Sequence, residues 1–116
     1  MSCIESIFAA LKQAGVEVRL PAQKRDICLS PYAVVFESER GLVNGMDMCK
    51  IQIRVFVPLE NYSALAPFTE TVREAMRPLR GRVRETGRSL GAGVEDKFCA
   101  HRTALEYAYL PGDGDF

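Results

Sequence analysis

Cys49-Lys-Ile-Gln-Ile-Arg-Val-Phe-Val57 alternates apolar and polar side chains with a period of two. Cys49, Ile51, Ile53, Val55 and Val57 share one parity. Lys50, Gln52 and Arg54 share the other, until Phe56 breaks the polar series. Successive side chains of a strand point to opposite faces, so this stretch reads as a strand with one covered face. A sheet covered on one face only is usually antiparallel, because parallel sheets are buried on both.

The flanking sequence supplies the partner. Tyr32 to Glu39 contains Tyr32, Val34, Val35 and Phe36, side chains that fit a pleated surface. Arg40-Gly-Leu-Val-Asn-Gly-Met46 lies between the two runs, and Asn44-Gly45 readily takes positive φ, so a hairpin is expected. The turn reads as several residues long, with Leu42, Val43 and Met46 at its tip. Further upstream, Val16, Val18 and Leu20 alternate with Glu17 and Arg19, a short strand closed by Pro21. Residues 22 to 31 read as a connection.

Helical periodicity appears on both sides of this β region. Ile4, Ile7, Phe8 and Leu11 recur at steps of three and four. Ser2 and Glu5 have the capping-box spacing at the start, and Gly15 suits the left-handed position that ends a helix. A second helix is expected to begin between Asn61 and Pro67, with Leu65, Phe68, Val72, Met76 and Leu79 as its apolar stripe. Glu70–Arg73 and Glu74–Arg77 are favourable pairs three apart, and Pro78 should stop the helix near Arg77.

The remainder reads as β. Arg82 to Arg88 is a candidate strand, Ser89 to Gly93 a loop with two glycines, and Phe98 to Leu110 a last strand. In that strand Ala100, Ala104 and Ala108 share a parity on which a helix could pack closely. The order α-β-β-β-α-β-β predicts an α+β fold. Two helices pack on one face of an antiparallel sheet of four to five strands, a two-layer sandwich. Tyr32, Phe56, Tyr107 and Tyr109 are candidates for the uncovered face. Residues 1–110 form one domain in this reading, and 111–116 a frayed tail.

The 116 residues can bury about two-thirds of the surface of the unfolded chain, enough for a core without staples. At 47% hydrophobic and 26% charged, the composition is that of a globular domain. Fifteen basic residues balance fifteen acidic ones, which excludes the bulk basicity of a strong nucleic-acid binder. The zero hides a segregation. Between residues 77 and 102 seven basic side chains face three acidic ones, whereas 103–116 carry three acidic and no Lys or Arg. Arg77, Arg80, Arg82, Arg84 and Arg88 fall within twelve residues. Arg presents a fork suited to phosphate and carboxylate, so the segment reads as a solvated, protected edge strand or as a docking surface for an acidic partner or DNA.

Motifs for catalysis or metal are lacking. Cys3, Cys28, Cys49 and Cys99 make no Cys-x-x-Cys pair, and no cofactor is implied. Nothing selects among their three possible disulfide pairings. The N-terminus lacks a basic signal region, so the thiols are expected to be reduced in a cytoplasm. His101 and Cys99 share a parity, but a strand pair two apart makes a poor nucleophile–base unit. Glu95 and Asp96 are adjacent and so diverge on a strand. Gly87 to Gly93 is not a phosphate-binding loop pattern.

Taken together, a capped helix, a hairpin with a protruding Arg40–Met46 loop, the long strand 49–57, the helix Phe68-Thr-Glu-Thr-Val-Arg-Glu-Ala-Met76 and the closing Thr103-Ala-Leu-Glu-Tyr107 resemble the tail-terminator, or tail-completion, proteins of long-tailed bacteriophages. The resemblance spans about residues 2–110 in pattern more than in identities, and the four cysteines are a departure from it. It implies a non-enzymatic structural subunit of the virion tail, present in the host cytoplasm during assembly. Such subunits form a homo-oligomeric ring, commonly hexameric, that caps the tail tube and meets the head connector. It implies that Arg40, Leu42, Val43, Asn44 and Met46 contact a neighbour or the tube. Arg80, Arg82, Arg84 and Arg88 would then face an acidic partner or DNA in the ring. A head–tail connector adaptor or stopper, and a small α+β binding domain unrelated to phage, are the alternatives.

Overall fold

The computed structural model describes residues 3–21, 27–43 and 45–110. Ser2, Asn44 and the 111–116 tail, which carried expectations, lie outside these residues. The fold is α+β. Helix α1 (Cys3–Gln13) is followed by β1 (Val18–Arg19), β2 (Tyr32–Val43), β3 (Met46–Pro58), α2 (Leu65–Met76), β4 (Arg84–Glu95) and β5 (Ala100–Tyr109). Short 3₁₀ turns at Leu59–Ala64, Arg77–Leu79 and Asp96–Phe98 join them. No helix among these residues is long and apolar enough to cross a membrane.

The five strands form one sheet in the order β1-β2-β3-β5-β4. Three pairings are antiparallel, but Val18 and Arg19 run parallel to Ala33 and Val34, so the sheet is mixed. The reason is the connection from Leu20 to Pro31. It is long enough for a crossover, which a parallel pair requires, and Cys28 N–H donates to the Phe98 carbonyl at 2.7 Å.

Both helices pack on one face. Ile7 and Leu11 of α1 and Leu65, Val72 and Met76 of α2 bury against Ile51, Ile53, Val55 and Val57 of β3 and Leu105 and Tyr107 of β5. Each such side chain contributes on the order of 1.5–3 kcal/mol through removal from water. Helix α1 ends as its glycine requires. Gly15 takes φ +84°, Gly15 N–H donates to the Lys12 carbonyl at 3.0 Å, and Val16 N–H reaches the Leu11 carbonyl at 3.0 Å. This is a Schellman stop, with Val16 and Leu11 both buried. On α2 both expected pairs form: Glu74 with Arg77 at 3.0 Å, and Glu70 with Arg73. Arg73 also reaches Glu85 of β4 at 3.0 Å.

The second face of the sheet differs from expectation. Tyr32 and Phe56 do lie on it but are buried with Cys28, Val34 and Ala100, with Phe36 and Phe98 packed against them. Tyr107 is buried on the helix face, and Tyr109 packs against the same core. Ala100, Ala104 and Ala108 lie opposite the helices, since Leu105 and Tyr107 take the helix side. Thus the alanines do not receive a helix.

Two expected loops are strand. Ser89–Gly93 belongs to β4, which pairs with β5 across two register shifts, between Glu85 and Ser89 and between Leu90 and Gly93. Gly87 sits in the first at φ +82°. Glycine in a strand marks such bulges as readily as it marks a loop, and pairing on both sides decides between them. Arg40–Met46 is likewise paired almost to its tip.

Candidate interaction surface at the hairpin end of the sheet

The β2–β3 hairpin projects. Val43 faces Met46, Leu42 faces Asp47 and Gly41 faces Met48, with a register shift between Ser38 and Gly41. Gly45 takes φ +81°, the geometry a tight turn needs. The residues read as a long turn are therefore a bulged ladder whose last pair is Val43 with Met46. β5 pairs with β3 only as far as Cys49, opposite Tyr109, so Met46–Met48 extend beyond it. Leu42 is 72% exposed and Met46 53%. Arg40 Nη2 and Nε both hold Asp47 Oδ2, at 2.8 and 2.9 Å, bracing the ladder near its tip.

β4 starts at the same end of the sheet, with Arg84 opposite Ala108. Its approach is fixed by the 3₁₀ turn. Arg82 N–H and Val83 N–H both donate to the Leu79 carbonyl, at 2.9 and 2.8 Å, and Val83 is buried. Between the overhanging end of β3 and this approach lies a depression of about 360 Å³. Val43, Met46, Met48 and Leu110 give it apolar walls, and Arg82, Arg84, Glu85 and Thr86 give it polar ones.

The structure thus brings Val43 and Met46 together with Arg82 and Arg84, although some forty residues separate them in sequence. Arg40, Leu42, Arg80 and Arg88 do not line the depression. Arg80 and Arg88 are exposed. Arg88 follows the Gly87 bulge, where its N–H donates to Thr86 Oγ1 at 3.2 Å. Thr86 Oγ1 in turn donates to Glu106 Oε1 at 2.9 Å. Met48, Thr86, Ala108 and Leu110 were missed by sequence reasoning. The parity of β3 placed Met48 with Lys50, but only the register of β4 on β5 shows what faces them.

The weaker chemical candidates separate. Cys99 lies outside β5 at φ +50°, its Sγ 3.8 Å from the Asp96 carbonyl. His101 Nε2 meets the Leu59 carbonyl at 3.1 Å, and its ring stands edge-on to Tyr62 at 4.7 Å. Glu95 pairs with Arg102 at 2.7 Å. No group of three or more His, Cys, Asp or Glu side chains that could hold a metal occurs among the described residues. Burial pushes the Cys3 thiol up to about 12, helped by the nearby Cys49 and Glu37. Burial also raises the Cys28 thiol.

No protein-family model and no curated protein matches this sequence.

Proposed function

We propose that the chain is a structural, non-catalytic subunit of a ring that caps a phage tail tube and presents a docking face to the head. The observation that supports this reading most is the projecting hairpin, with Leu42 exposed on one side and exposed Met46 sharing a depression with Arg82 and Arg84 on the other. Apolar side chains exposed at a projecting, braced tip are available for contact with another surface. A ring needs a heterologous contact, in which one surface meets a different surface of the next copy. The hairpin tip is one such surface. In this reading the subunit works in the virion tail after assembly in the host cytoplasm.

Light scattering for mass, with negative-stain imaging, tests the proposal with and without tail-tube protein. Rings of defined mass that bind the end of tubes are expected. A strict monomer at tens of micromolar that also ignores the tube overturns it. Capture of a portal complex instead of the tube would assign the chain to the connector side.

A further inference from the structure

The face of the sheet opposite the helices carries a cluster of cations that sequence order disperses. Lys50 and Arg84 are both in register with Ala108, one on each side. Adjacent strands lie about 4.8 Å apart, so their backbones are separated by roughly 10 Å. Arg54 lies four residues along β3 from Lys50, on the same face and roughly 13 Å away. Ala108 between the first two is small and buried, which leaves the row shallow.

One of the three cations is braced without being neutralised. The Arg54 guanidinium lies 4.4 Å over the Phe36 ring, and its Nε donates to Gln52 Oε1 at 2.7 Å. Both partners are uncharged, and Nη1 and Nη2 remain for an outside acceptor. The Lys50 ammonium crosses above Gly41, where an added Cβ would come within 3.1 Å of Nζ. Arg84 is exposed. No ion pair among the described residues engages Lys50, Arg54 or Arg84. By contrast, Arg19 and Arg102 of the same face are paired, with Glu17 and Glu95. Glu106, in register with Gln52, places one carboxylate on this face, where it accepts from Thr86.

We infer that Lys50, Arg54 and Arg84 form a binding face for the phosphodiester backbone of nucleic acid. Cations without ion pairs on a shallow sheet face suit a repeating chain of anions, which presents charge along a line whatever its sequence. A folded acidic protein would have to match three separated points with carboxylates of its own. The inference does not depend on the ring, because one copy contains the whole face. Binding is sequence-independent and salt-sensitive, as contacts to phosphate alone are.

Fluorescence anisotropy tests it, with a labelled random-sequence DNA duplex and its single strand, titrated over a series of salt concentrations. Three phosphate contacts give a slope of log K against log salt of about −2.7 for the duplex and about −2.1 for the single strand. Lys50→Ala, Arg54→Ala and Arg84→Ala should each weaken binding on every sequence and reduce the slope by about 1. Arg77→Ala, on the helix side, should change neither. Lys50→Gln and Arg84→Gln guard against an unfolded variant, and circular dichroism checks all of them. Absence of binding at low salt, or a slope indifferent to the three substitutions, overturns the inference. Polyglutamate binding in place of DNA also overturns it and assigns the face to an acidic protein.

Discussion

Tyr32 stacks on Phe56 across the β2–β3 pair, with ring centroids 5.0 Å apart and planes 17° from parallel. Arg19 of β1 lies 4.2 Å over the Tyr32 ring on the same side of the sheet. This stack makes a second small core on the face away from the helices, closed by Cys28 and Phe98. It explains how a two-residue strand stays attached: β1 is held by Val18 in the main core and by Arg19 on this stack.

Removal of that stack should be severe. Phe56→Ala leaves a cavity under the crossover and should cost about 3–5 kcal/mol. Phe56→Leu retains most of the volume and should cost about half as much or less. Chemical denaturation followed by circular dichroism measures both. A loss below about 1 kcal/mol for Phe56→Ala would show that the crossover does not seal this core.

The hairpin tip should separate folding from assembly. Leu42→Ser and Met46→Ser alter exposed side chains, so monomer stability should stay within about 0.5 kcal/mol of the parent. Under the ring proposal the same changes should abolish the oligomer in light scattering. An unaltered oligomer would remove the tip from the interface.

Gly15→Ala should destabilise by about 1 kcal/mol, because a side chain at φ +84° is strained although no neighbour lies within 4 Å of the added Cβ. The space around it makes this a test of backbone conformation alone. A thermal melt with no shift would contradict the Schellman geometry.

Alkaline stability follows from the thiol and phenol in the core. Burial raises Cys3 from 9.0 to about 12, and Tyr109 from 10.0 to about 12. In both, the folded state holds its proton where the unfolded chain has released it. The stabilisation is therefore complete below about pH 9 and is lost as pH rises toward 12. Unfolding free energy measured against pH should fall across that window. Cys3→Ala should flatten the fall, and an unchanged profile would count against the shift. In the native state at neutral pH, Cys3 should resist alkylation while half-exposed Cys99 reacts.

Local sequence pattern determined both helices and the central strand of this protein. The alternation from Cys49 to Val57, the stripes of the two helices and the stop at Gly15 are local patterns, and local sterics and burial are enough to read them. The helix-side core followed because each amphipathic element has one face to hide. Pairing was not legible in the same way. Glycines at 87, 91 and 93 fit a loop or a bulged strand equally well, and only the ladder to β5 chose the strand. Tyr32 and Phe56 looked exposed because nothing in residues 20 to 31 announces a crossover. The cation face is the sharpest case. Lys50 and Arg84 lie thirty-four residues apart and share one face and register only because both strands flank Ala108. Register is a property of the closed sheet, set by long-range hydrogen bonds that no local window of sequence contains, so only the tertiary structure could place them side by side.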